Sequence, residues 1–194
     1  MKKLIFSIIT LIVFTIAYGQ NDYKKLPSLG IHLFFNDFQT ASEIRSNGIA
    51  DVMRDKQWIK SKRMIPGLAV SYTQGLGNKL DFTAVLSGCL GEYPVPNTVP
   101  SNQQKLILEG VATWNLKLLS DRYILNPFIT GGVGASNYKS YYAAFIPIGV
   151  GMQIKITNNV FLVANSQYRI PVTENSAYHF YYSFGVVAPI KKKL

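Results

Sequence analysis

Few residues of this chain could make or break covalent bonds. His32 and His179 are the only histidines and Cys89 the only cysteine. Nucleophilic catalysis needs a hydroxyl or thiol within hydrogen-bond reach of a base that a third group orients. Ser183 lies four residues beyond His179, on the same face of an extended segment. Two histidines, one cysteine and scattered carboxylates match no metal-ligand spacing, so neither a metal nor another cofactor is expected. The single cysteine also forbids an intrachain disulfide. The remaining chemistry is electrostatic: Glu109, Arg169, Asp81, Lys117 and Lys155 stand in otherwise apolar surroundings, where an isolated charge would be costly and a paired one tolerated.

What must position these groups is a chain that is 48% hydrophobic and only 15% charged, against about 25% charged in an average soluble domain. Basic residues exceed acidic ones by 20 to 10, which points to an anionic partner surface. Part of the apolar excess is local. Met1-Lys2-Lys3 is a basic start, Leu4 to Ala17 an almost wholly apolar run, and Ala17-Tyr18-Gly19 a small-residue cleavage pattern before Gln20. Residues 1–19 therefore read as a secretory signal peptide, with 20–194 as one mature domain. Gln20 in place of a cysteine argues against a lipoprotein, and loss of Lys2 and Lys3 lowers the charge from +10 to +8. No later stretch has the apolar length of a membrane helix.

The mature chain is a succession of segments with a period of two: Ser28 to Phe38, Met64 to Gln74, Lys79 to Gly91, Lys105 to Leu119, Tyr123 to Tyr138, Tyr141 to Thr157, Val160 to Pro171 and Tyr178 to Ile190. In the third, Leu80, Phe82, Ala84, Leu86 and Leu90 alternate with Asp81, Thr83, Ser87 and Cys89. In the eighth, Tyr178, Phe180, Tyr182, Phe184 and Val186 alternate with His179, Ser183 and Gly185. The links alternate too. Gly75 to Asn78, Ser120 to Arg122 and Asn158-Asn159 are tight turns, whereas Gln39 to Arg63, Glu92 to Gln104 and Val172 to Ala177 are longer, with Lys139-Ser140 the short member of that second set. Strands running up and down in sequence order put all tight turns and both termini at one end. Outer-membrane barrels are built this way, with short periplasmic turns, longer extracellular loops and an even strand number.

Periodicity alone leaves the direction of the apolar face open. A soluble lipocalin-like barrel would turn it inward, a membrane barrel outward. The segments reach the 9–11 or more residues that tilted membrane strands need, beyond the mode of about 5–6 in globular sheets. Gly132, Gly134, Gly149 and Gly151 fall on the polar face, where a narrow barrel interior requires small residues. Tyr138, Tyr141, Tyr142, Tyr168 and Tyr178 cluster toward the long-loop end, where an aromatic girdle would sit. The expected fold is all-β, an eight-stranded antiparallel up-and-down transmembrane barrel. Its lumen would be just wide enough for side chains to fill it. A polar network is expected there: Glu109 with Arg169 near the long-loop end, Asp81 diagonal to Lys117 near the tight turns, and Lys155 inward at a similar depth.

Several stretches resemble the eight-stranded barrel domain of OmpA-type outer-membrane proteins of Gram-negative bacteria: Gly30-Ile31-His32-Leu33-Phe34-Phe35-Asn36-Asp37-Phe38, Gly132-Val133-Gly134-Ala135-Ser136, Tyr168-Arg169-Ile170-Pro171-Val172-Thr173 and His179-Phe180-Tyr181-Tyr182-Ser183-Phe184-Gly185-Val186. The resemblance covers essentially the whole mature chain and implies a place in the outer membrane. That family often appends a peptidoglycan-binding domain; here Lys191-Lys192-Lys193-Leu194 follow the last segment, so no cell-wall tether is expected.

Non-enzymatic structural or surface-interaction work is the leading expectation. The alternatives are a lipid-modifying barrel enzyme using His179 with Ser183, next to His32 on the neighbouring strand, and a soluble periplasmic ligand-binding barrel. The loop Gln39 to Arg63 sets Arg45, Arg54, Lys56, Lys60, Lys62 and Arg63 against Glu43, Asp51 and Asp55, and Ala41 to Met53 has the spacing of a short amphipathic helix. Expected partners are outer-membrane lipids and lipopolysaccharide, with a surface partner at this loop. Nucleic acid is not expected, since no recognition motif accompanies the charge, and the barrel is expected to be a monomer.

Overall fold

The computed structural model describes residues 24–55, 58, 60–94, 105–139, 141–157 and 160–190. The signal-peptide reading of residues 1–19 and the terminal lysines lie outside them. Eight strands follow in order: β1 (Ser28–Asp37), β2 (Ile65–Gly75), β3 (Leu80–Gly91), β4 (Lys105–Lys117), β5 (Leu125–Tyr138), β6 (Tyr141–Lys155), β7 (Phe161–Pro171) and β8 (His179–Pro189). Each pairs antiparallel with the next, and β1 pairs with β8 to close the barrel. Closure leaves no sheet edge, as backbone in hydrocarbon demands.

Register decides which face looks out, because a slip of one residue would exchange the faces along a whole strand. In β1, Leu29, Ile31, Leu33 and Phe35 face outward while Ser28, His32, Phe34 and Asn36 face the lumen. The apolar set is outward on every strand, with Ile31 71%, Leu68 63% and Val150 61% exposed. A barrel that shows water such a belt would aggregate; a bilayer solvates it. The soluble ligand-binding reading therefore falls, and the fold is a transmembrane barrel.

The aromatic residues at the long-loop end sharpen the girdle expectation. Tyr141 and Tyr142 are exposed, and Tyr168, Tyr178, Phe180, Tyr182 and Trp58 form a ladder of ring contacts spaced 4.9–5.9 Å. Tyr138, expected in the girdle, instead points inward and is only 4% exposed, because it shares the parity of Gly134 and Ser136 on β5. The inward glycines are places of close approach. A Cβ on Gly134 would lie 2.4 Å from the Phe145 ring, and one on Gly151 2.1 Å from the Phe128 ring.

The first long loop holds two helices rather than the single one expected over Ala41 to Met53. Helix α1 (Phe38–Asn47) starts earlier, directly at the end of β1, because the Asp37 carboxylate accepts a hydrogen bond from Thr40 N at 2.9 Å and caps it. Gly48, at φ +87°, ends α1 and donates its N–H to Ile44 O; α2 (Ile49–Arg54) follows. Phe38, Thr40 and Ala41 are buried, so α1 lies across the barrel mouth beside β8.

Candidate functional site

The lumen is filled by two charged layers with a polar zone between them. Near the long-loop end, Glu109 on β4 and Arg169 on β7 form an ion pair across the barrel, both almost fully buried. Inward parity on strands on opposite sides of a narrow barrel brings them together. Asn36 Nδ2 donates at 3.3 Å to Glu109 Oε2, the oxygen that also meets Arg169, and His179 Nε2 lies 3.3 Å from Glu109 Oε1. The Arg169 guanidinium is held between the rings of Tyr181 at 3.9 Å and Phe145 at 4.9 Å. Above this layer an aromatic lid closes the mouth: Phe38 packs against Tyr93 and His179, Tyr93 against Tyr138, and Phe34 against Tyr181. The Tyr93 hydroxyl accepts from Ala177 N at 2.9 Å, tying the second long loop to the fourth.

Near the tight turns, Lys117 on β4 reaches Asp81 on β3 at 2.8 Å and Asp121 in the following turn at 2.5 Å. The diagonal between β3 and β4 supplies the first contact, since Asp81 opposes Asn115, two residues from Lys117. Lys25, three residues ahead of β1, folds into the barrel end. Its Nζ donates to Gln153 Oε1 at 2.5 Å, lies 3.5 Å from Asp81 and sits 4.4 Å from the centre of the Phe161 ring. Asp121 Oδ1 also accepts from Gln153 at 2.8 Å and Asn126 at 3.3 Å. Two lysines thus face two aspartates, and the buried charges cancel. Lys155 has inward parity on β6 but is half-buried at the barrel end, and among the described residues it makes no ion pair.

Between the layers, His32 Nε2 is 2.7 Å from Ser71 Oγ, Thr73 meets Thr83 at 3.1 Å, and Asn115 donates to Thr83 at 2.9 Å. They border a cavity of about 50 Å³ that extends between Lys25 and Arg169. At roughly 10–15 Å³ per water such a space holds only a few water molecules.

This geometry separates the groups from which a catalytic pair would be built. Strands β1 and β8 are neighbours, but their register sets His32 opposite Gly185, while His179 packs on Phe38 beyond the paired residues of β1. The hydrogen-bond partners of His179 are Arg169 and the Ala177 carbonyl, with Glu109 beside it, and none is Ser183. The histidine that does meet a serine is His32, and its Nδ1 is buried without a partner, so no acid orients it. Among the described residues no three His, Cys, Asp or Glu side chains stand close enough to hold a metal ion.

Asp121, Lys25, Gln153, Asn126 and Asn36 complete the layers and were not among the residues singled out from sequence; His179, singled out there beside Ser183, joins the layer as a neighbour of Glu109 instead. Gln153, Asn126 and Asn36 had the legible signal of inward parity. Asp121 sits in a turn and Lys25 ahead of the first strand, where period two says nothing.

No family model matches the chain, and no curated protein does. Solved structures do match. Neisserial surface protein A superposes with a TM-score of 0.53 at 14% identity, covering 87% of this chain and 100% of that one. The N-terminal barrel domain of Pseudomonas aeruginosa OprF gives 0.52 at 13%, covering 86% and 98%. Ail, the attachment invasion locus protein of Yersinia pestis, gives 0.50 at 10%, covering 85% and 97%. All three are eight-stranded outer-membrane barrels, and with the outward apolar belt and the side-chain-filled lumen they establish that this chain has the fold of that class.

Proposed function

We propose that the mature chain, residues 20–194 after removal of the signal peptide 1–19, is a monomeric, non-enzymatic barrel of the outer membrane. Its tight turns face the periplasm, its long loops face outward, and its work is structural or done by contacts at the loop end. The observation that carries this reading is the pairing of a continuous apolar belt with a lumen closed by two charge-neutral layers. The belt requires a bilayer, and the closed lumen leaves the outer loops as the surface that can meet a partner. Lipopolysaccharide phosphates and other anionic groups suit the cations of the Gln39 to Arg63 loop. Two of the structural neighbours are named a surface protein and an attachment invasion locus protein, which supports this reading. Cell fractionation with unboiled gel electrophoresis tests the placement. A membrane-bound, heat-modifiable band is expected, and a soluble periplasmic pool would overturn it. Planar-bilayer recording tests the closed lumen, with no steady conductance expected.

A further inference from the structure

The polar side of α1 does not pack on the barrel. Gln39, Ser42, Arg45 and Ser46 recur at spacings of three and four and therefore line one stripe of the helix. That stripe forms one wall of a groove at the barrel mouth. Ser176, Ala177 and Tyr178, from the link into β8, form the other wall, and Phe38 and Pro94 complete it. The groove measures about 560 Å³, within the range of roughly 300–1,000 Å³ typical of small-molecule sites and far larger than a bare phosphate needs.

Its electrostatics are one-sided. Among the described residues, Arg45 is the only charged member of the lining, and no carboxylate lies within ion-pair distance of it. The one acid of α1, Glu43, is engaged by Arg63 at 2.8 Å. The Arg45 guanidinium lies 3.8 Å from the centre of the Tyr178 ring, whose other contact is with Tyr168 at 5.9 Å. This stack holds the cation by its flat face and leaves the N–H edges, which bind an acid group in a two-pronged way, to be satisfied from outside. A second observation points to a ligand. Ser176 is only 4% exposed, lines the groove, and its Oγ has no hydrogen-bond partner. Unpaired buried hydroxyls are uncommon because each forfeits its bonds to water.

We propose that this groove binds an anionic saccharide unit, with Arg45 on its acid group and Ser176, Ser42 and Gln39 on its hydroxyls. A sugar fits better than a bare anion or a lipid tail. It needs both donors and acceptors along its length, which serine hydroxyls and a glutamine amide supply. It also presents C–H faces to short apolar walls such as Pro94 and Ala177. The inference rests on the outward orientation of the loop end proposed above.

The test uses the refolded full-length barrel in detergent, with its fold checked by heat-modifiable migration, and titrates trigalacturonate, maltotriose and inorganic phosphate by calorimetry. Trigalacturonate is expected to bind, maltotriose at least tenfold more weakly, and phosphate not to compete at millimolar concentration. Arg45→Gln should weaken trigalacturonate binding at least tenfold and Ser176→Ala about threefold. Arg122→Gln, which removes an exposed charge at the tight-turn end, should leave it within twofold. No binding of trigalacturonate, equal losses for Arg45→Gln and Arg122→Gln, or full competition by phosphate would each overturn the site. A separate arm labels Ser46→Cys on intact cells with an impermeant maleimide, since the native Cys89 is buried. Absence of labelling defeats the outward orientation, while the detergent titration still judges the groove on its own.

Discussion

The two charged layers of the lumen solve the same problem in different ways. At the long-loop end, Glu109, Arg169 and Asn36 all lie on strands, so the ion pair is carried by the barrel wall itself. At the tight-turn end, Lys117 and Asp81 are on strands, but Asp121 comes from a turn and Lys25 from the segment before β1. The first layer can be lost only by distorting the barrel. The second includes members that can withdraw into water with a short piece of chain. A buried charge stranded on a strand should therefore cost more than one whose partner is on a tether.

The comparison predicts a ranked series. The largest effect is expected for Arg169→Met, which leaves Glu109 buried without its cation. Unfolding of the refolded barrel in urea should show a loss of about 3–5 kcal/mol. The double change Glu109→Gln with Arg169→Met should recover most of that loss, because it removes the pair rather than half of it; failure to recover would mean that the pair itself stabilises the barrel. Next come the crowded lumen glycines. Gly151→Ala must displace Phe128 and should cost about 1–3 kcal/mol by the same assay, independent of either layer. Lys25→Met should cost less than Arg169→Met, because Lys117 stays between the two aspartates and the segment carrying residue 25 can rearrange. An equal loss would remove the distinction between wall and tether. The smallest effect belongs to Lys155→Gln, expected within about 0.5 kcal/mol since the side chain is half-buried and makes no ion pair among the described residues.

Much of the layered lumen was legible in the sequence, and the limits of that legibility are physical. Side-chain parity along a strand is local, so Glu109, Arg169, Asp81 and Lys117 could be assigned to the lumen without coordinates, and the antiparallel register of β3 and β4 gave the diagonal from Asp81 to Lys117. Lys155 has the same parity, but parity says nothing of depth, and it falls at the barrel rim. His32 and His179 sit on neighbouring strands, yet the β1–β8 register, set by closure between the two ends of the chain, keeps them apart. The break of the loop helix at Gly48 had a visible signal, a glycine within a helical stretch, that the amphipathic spacing overrode.

By itself, the sequence determined the number of strands, their order, the alternation of faces and which links are short, because each depends on neighbours within a few residues. Tertiary structure alone decided that Lys25 and Asp121 join the lumen, that Tyr138 seals it, and that Arg45 comes to rest on Tyr178. These depend on closure, which brings residues far apart in the chain to within a barrel's radius of one another, and a repeating pattern of period two carries no record of that distance.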